Sequence, residues 1–142
     1  MNDNYHPSDS HVLAALVKKI VDAKMSGNKK LTLWGTGEPK REFLCSDDLA
    51  DACIYLMNNY NSPEIINIGT GKEISISDLA KLIMEILGID LEIEHDLSKP
   101  DGTPRKVMDV SKLSKLGWKP KISLKQGLRI VIEDYSTNYY SN

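Results

Sequence analysis

The sequence predicts an α/β fold in which helices alternate with short strands, with too little strand for a complete doubly wound sheet. Three observations lead there. Apolar residues recur at helical spacing in several segments, short runs of Leu, Ile and Thr lie between them, and Ser, Gly and Pro mark the joins where caps and turns need them. The 142 residues amount to about one domain, and the hydrophobic (41%) and charged (27%) fractions are those of an ordinary globular chain.

The first ten residues, MNDNYHPSDS, read as loop, in the manner of a connection rather than a domain start. A helix is expected over 10–25. At about 100° per residue Leu13, Leu16, Val17 and Ile20 share one face, while His11, Lys18 and Asp22 project from roughly the opposite one and Lys19 lies at the edge. LTLW (31–34) reads as a strand, GTGEPK (35–40) as a turn, and REFLC (41–45) as a second strand or extended segment. Ser46, Asp47 and Asp48 open a helix running to about 58, with acids in the first turn where the dipole favours them. EIINIG (64–69) is a buried-strand candidate ending in a Gly-Thr-Gly turn. Ser75 with Asp78 three residues on resembles a capping box. The helix it starts should bury Ile76, Leu79, Ala80, Ile83, Ile86 and Leu87 and stop at Gly88. LEIEHD (91–96) is a strand, SKPDGTPRK (98–106) a long loop, and a short helix runs from Ser111 to near Gly117. Ser123 with Gln126 caps the last helix, which should fade into the polar tail YSTNYYSN (135–142). That makes about four helices.

A net charge of −2 and a pI near 5.9 argue against nucleic acid or an anionic membrane as partner. Cys45 and Cys53, with His6, His11 and His95, show neither disulfide-framework nor metal-ligand spacing, so two reduced thiols and no metal are expected. No apolar run approaches the eighteen or so residues of a membrane span, and the N-terminal residues are too polar for a signal peptide; a cytoplasmic protein is expected.

Neither Gly-Thr-Gly turn fits G-x-x-x-x-G-K-[ST], nor G-x-G-x-x-G opening a helix, so both read as tight turns rather than phosphate loops. The stretch 34–52 is more specific. Trp34 offers an aromatic face to a base or sugar, and Arg41, one of only three arginines, offers a fork that matches phosphate oxygens. Plain core for Trp34 and a surface ion pair for Arg41 are the competing readings. On the proline-stiffened loop KPDGTPRK (99–106), Asp101 could accept hydrogen bonds from sugar hydroxyls, or simply be solvated.

Taken in order, W-G-x-G-x-P-x-R-E-F-L-x-x-D-D-x-A (34–50), I-N-I-G-T-G (66–71) and K-P-D-G-T-P-R-K (99–106) resemble the extended short-chain dehydrogenase/reductases, or epimerase/dehydratase family, that act on nucleotide sugars. D-N-Y-H-P-S-D-S-H-V (3–12) and the complete KPDGTPRK string are similar to its GDP-sugar epimerase-reductases, and the resemblance covers about 3–133. It implies a small C-terminal substrate-binding domain, helices with short strands, whose NADP-binding Rossmann half is largely absent from 1–142. It implies conversion of GDP-4-keto-6-deoxy-D-mannose by C3/C5 epimerisation and NADPH-dependent reduction at C4. By resemblance His11 is the acid that reprotonates during epimerisation, and His11 and Val12 lie by the cofactor. Lys19, Trp34, Arg41 and Asp101 contact the GDP-sugar, Lys19 standing where arginine is common. Cys45-Ser46 replaces a common His-Val. NADP(H) would be held mainly by the missing half, together with the catalytic Ser, Tyr and Lys; no Y-x-x-x-K occurs where it can be tested. The family dimerises through helices of that half, so a native homodimer interface is not expected in these residues, and the chain by itself is expected to be inactive.

Two rivals remain. Another nucleotide-sugar epimerase or dehydratase of the family would prefer a different nucleotide. A non-catalytic nucleotide-sugar-binding module would have no use for His11.

Overall fold

A computed structural model describes residues 3–6 and 10–139. The chain runs α1 (Val12–Ser26), β1 (Lys30–Trp34), β2 (Lys40–Arg41), α2 (Ser46–Asn59), β3 (Ile74–Ser75), α3 (Ile76–Leu87), β4 (Glu92–Asp96), β5 (Arg105–Lys106), α4 (Ser111–Lys115) and α5 (Leu124–Asn138). The α/β alternation is as expected. Among the described residues there are five helices, one for each helical segment read from the sequence, so the figure of about four undercounts them by one.

Two small sheets result. β1 and β4 pair in parallel, Leu33 opposite His95 and Trp34 opposite Asp96. β2 is the centre of the other, antiparallel to β3 and parallel to β5, with Arg41 in register with Lys106. The main core lies where α1, α3 and α5 pack against β1, around Val17, Ile20, Leu33, Leu79, Ile83 and Leu128. Burying each such side chain stabilises by about 1.5–3 kcal/mol. A second cluster, Ala52, Leu56, Leu113 and Trp118, joins α2 to α4. No described helix is long and apolar enough to cross a membrane.

The caps act as the sequence implies. Ser75 accepts the Asp78 amide, and Ser123 with Gln126 forms a reciprocal capping box. Gly88 stops α3 in the left-handed region that glycine favours.

Several expectations need correction. Residues 64–69 form no strand. Ile66 and Ile68 pack partly against the second cluster while Ile65 is 90% exposed, so the alternation is real but the segment has no ladder partner among the described residues. Leu13 is only half-buried; α1 instead buries Ala14, Val21 and Ala23 beside its Leu16–Val17–Ile20 stripe. In α3, Met84 is buried, while Ile76, Ile86 and Leu87 are half-buried. Lys18 and Asp22 face α5: Lys18 bonds both Asp22 and the Tyr135 hydroxyl, which in turn donates to Asp22 at 2.8 Å. Tyr135 is therefore core, and the helix continues to Asn138 instead of fading into a polar tail. Residues 1–2 and 7–9 of the expected N-terminal loop, and 140–142 of the tail, lie outside the described residues.

The acids that open α2 do more than complement a dipole. Asp48, a buried charged side chain only 2% exposed, accepts the amides of Lys121 (3.1 Å) and Ile122 (2.9 Å). Asp51 accepts the Trp118 indole N–H at 2.8 Å and the Lys121 ammonium. Together they tie α2 to the approach to α5. Removing a buried charged acceptor strands part-buried amide donors, so Asp48→Ala should lower unfolding free energy by roughly 2–3 kcal/mol. Chemical denaturation checks this; a loss under about 0.5 kcal/mol, as for an ordinary surface substitution, would contradict it.

Candidate functional site

Both Gly-Thr-Gly turns bind an anion, and in each the anion is a carboxylate of this chain. Gly35 (φ 69°) and Gly37 (φ 73°) fold the turn after β1 into a shape other residues resist. Thr36 then donates its amide (2.6 Å) and hydroxyl (2.8 Å) to the Asp101 carboxylate, whose oxygen stands where a Cβ at Gly35 would be. At the second turn the Thr70 amide, the Gly71 amide (2.7 Å) and the Thr70 hydroxyl (3.2 Å) converge on Oε1 of Glu42, which occupies the space of a Gly69 side chain. Oε2 of Glu42 accepts the Met108 amide at 2.7 Å. The turns are therefore structural, as their motif mismatch predicts.

Asp101 thus has a structural partner that sequence reasoning did not supply, since Thr36 lies 65 positions away. Each carboxylate oxygen retains a lone pair, and Asp101 still lines the cavity described next.

Lys19, Trp34, Arg41 and Asp101 line one cavity of about 280 Å³, walled by Leu16 of α1 and Ile76 of α3. The α1 backbone sets Lys19 above the C-terminal end of β1. Trp34 is 59% exposed there, so it is not core. The Lys19 and Lys99 ammoniums stand 5.4 and 5.6 Å from the centre of its ring, within cation–π range. Lys19 also donates to the Thr32 carbonyl at 3.2 Å. Although the residue is exposed, its ammonium end is shielded, and this desolvation lowers its pKa below 10.5. Lys99, which the sequence reading did not single out, completes the cationic flank.

Arg41 stands where three cavities meet. Its guanidinium donates to the Lys40 carbonyl at 2.7 Å and lies beside Gly102, and no ion pair of Arg41 occurs among the described residues. Among those residues the ion-pair reading finds no partner. Strands pair about 4.8 Å apart, so register places the Lys106 stem beside Arg41, two cations on one short sheet. Both line the cavity that also holds His11, Val12 and Ser46. His11 is exposed at the N-cap of α1 and makes no side-chain cap bond, away from the apolar stripe as expected. Val12 borders both this cavity and the one beneath Trp34, linking the expected cofactor residues to the expected substrate residues. Cys45 caps α2 through its backbone, and both thiols are free.

Burial tends to raise the pKa of Glu42, but the Met108, Gly71 and Thr70 amides outweigh it and leave the pKa below 4.5. A depressed folded pKa means that the carboxylate's contribution is present above the unfolded value and is lost as pH falls through the folded one. The Thr70, Gly71 and Met108 amide resonances should therefore titrate together with a midpoint below 4.5. Separate midpoints, or a common one above 4.5, would break the lock into unrelated contacts.

A model of the NAD dependent epimerase/dehydratase family matches residues 2–69, the stretch that holds α1, β1, β2, α2, Lys19, Trp34 and Arg41. The chain is similar to GDP-L-fucose synthases over most of its own length. It is 50% identical to GDP-L-fucose synthase 1 of Arabidopsis thaliana over 137 residues, covering 96% of this chain and 42% of that protein. Identity to the GDP-L-fucose synthase of Escherichia coli is 42% over 136 residues, 89% of this chain and 42% of the relative. A GDP-L-fucose synthetase crystal structure from Naegleria fowleri superposes with a TM-score of 0.86 at 28% identity, over 98% of this chain and 43% of that one. The chain spans about 42% of the length of the first curated relatives it matches.

Proposed function

We propose that this chain is the C-terminal, GDP-sugar-binding portion of a GDP-L-fucose synthase, with a dinucleotide-binding half outside 1–142 completing the enzyme. The observation that carries the reading is convergence. Lys19, Trp34, Arg41 and Asp101, far apart in sequence, line one cavity, with Lys106 in register beside Arg41. An aromatic face suits a purine, and a guanidinium beside an ammonium suits a diphosphate. Names of the relatives supply GDP-L-fucose as the product to test.

In that enzyme the C4 ketone acidifies the C3 and C5 protons, each leaves as a proton with its electron pair delocalised into an enolate, and an acid on the opposite face returns one. His11 is the group of this chain suited to that proton delivery: exposed, at the N-cap of α1, at the cavity that contains Arg41. When bound, NADPH supplies hydride to C4; His11 and Val12 are the residues here that would border it. Cytoplasmic location and a homodimer formed by the other half follow from the same reading. Exposed apolar residues support a covering half: Ile54 and Met57 share the outward side of α2, with Met57 84% exposed and Ile65 close behind in the chain.

The chain by itself should consume no NADPH with GDP-4-keto-6-deoxy-D-mannose. A protein joining it to the dinucleotide-binding half should oxidise NADPH and form GDP-L-fucose. Substrate-dependent NADPH oxidation by the 142-residue chain would overturn the division of labour.

A further inference from the structure

We propose that Glu42 is a positioning residue that sets the spacing of the Arg41 and Lys106 cations for a diphosphate, without touching the ligand itself. The inference rests on the GDP-sugar reading above. Backbone pairing between β2 and β5 covers only two residues a strand and ends at Arg41 with Lys106. Immediately beyond that pair, the Glu42 side chain takes over: it accepts the Met108 amide at 2.7 Å from the β5 side. Its other oxygen holds the Thr70 and Gly71 amides at the opposite side. One carboxylate thus joins three chain segments beside the two cations, at the wall of the cavities they line, and adds to the Glu73 ion pairs with Lys40 and Arg105 in fixing the register of two-residue strands.

Chemistry argues the same way. A carboxylate next in sequence to an arginine and one strand from a lysine would ordinarily neutralise one of them. Among the described residues no ion pair joins Glu42 to either. Three donors, the Thr70 and Gly71 amides and the Thr70 hydroxyl, converge on Oε1 and the Met108 amide on Oε2, and the glycine at 69 leaves room for this. The cations are left available to an outside anion. Glu42, half-buried and occupied, is not.

A purely structural residue would weaken every ligand alike. A residue that positions the cation pair should matter in proportion to phosphate content. Guanosine, GMP and GDP are therefore titrated into the full chain as wild type, Glu42→Gln, Arg41→Ala and the double variant, with folding followed by amide spectra. Glu42→Gln keeps the shape but turns one acceptor into a donor facing amide N–H groups. It should reduce the preference for GDP over GMP by about threefold to tenfold, the size of a coupling within one hydrogen-bond network, and leave guanosine unchanged. In the double variant the loss should be close to that of Arg41→Ala alone. Proportional weakening of all three ligands, an unchanged GDP preference, or fully additive losses would each overturn the proposal. Should Glu42→Gln not fold, Glu42→Asp decides: it keeps the charge but is too short to span Thr70 and Met108, and must show the same selective loss. If Arg41→Ala leaves GDP affinity unchanged, the diphosphate reading has failed, whatever Glu42 does.

Discussion

Replacing His11 by Asn should leave the fold intact and slow proton exchange at C3 and C5 by about 10²–10⁴-fold in the complete enzyme, the range lost with a general acid. Both halves of that expectation come from placement. His11 is exposed, makes no side-chain cap bond and sits at the N-cap of α1, where asparagine is a favoured residue. Helix α1 should therefore be no less stable in the variant, and any kinetic loss belongs to chemistry rather than folding. The readout is deuterium incorporated from solvent at C3 and C5, measured apart from NADPH oxidation. Incorporation at the wild-type rate would remove His11 from the proton transfers. It would also revive the binding-module rival, whose weak point is this residue.

Arg41→Ala carries the second large effect: GDP affinity should fall about tenfold to a hundredfold. A charge-assisted hydrogen bond contributes roughly 1.5–3 kcal/mol, and 1.4 kcal/mol is a factor of ten. Arg41 makes no ion pair among the described residues, so its removal strands no buried carboxylate and the loss should appear in binding rather than stability. Calorimetry or amide-shift titration of the variant measures it. A change under twofold would place the phosphates elsewhere, with Lys106 and Lys99 as the next cations to vary.

Local signals were legible where local physics decides. Ser75, Gly88 and the Ser123–Gln126 box mark helix ends by interactions within a few residues, and the caps lie where the sequence put them. The convergence of Lys19, Trp34, Arg41 and Asp101 came from family resemblance; composition and spacing alone left Trp34 and Arg41 open. What escaped was non-local. The Glu42–Met108 and Asp101–Thr36 contacts span 66 and 65 positions, and no propensity encodes them. Tyr135 looked like part of a polar tail because its partners, Lys18 and Asp22, lie on the first helix. Residues 64–69 alternate like a strand, yet a strand exists only when a neighbour supplies its ladder, and none does among the described residues. A signal was nevertheless present for the internal carboxylates. Each Gly-Thr-Gly turn offers a threonine amide and hydroxyl to one acceptor, and its mismatch to phosphate-loop motifs leaves a side-chain carboxylate as the candidate.

The most direct test is a titration of GDP into the isotope-labelled chain, with UDP and NADPH as controls. Saturable shifts are expected at Lys19, at the Trp34 indole, at Arg41 and along 99–106, with a dissociation constant nearer millimolar than micromolar because loops must be ordered on binding. A weaker response to UDP and none specific to NADPH are expected. Equal responses to GDP and UDP would contradict the guanine assignment, and specific NADPH shifts would contradict the placement of the dinucleotide site outside this chain.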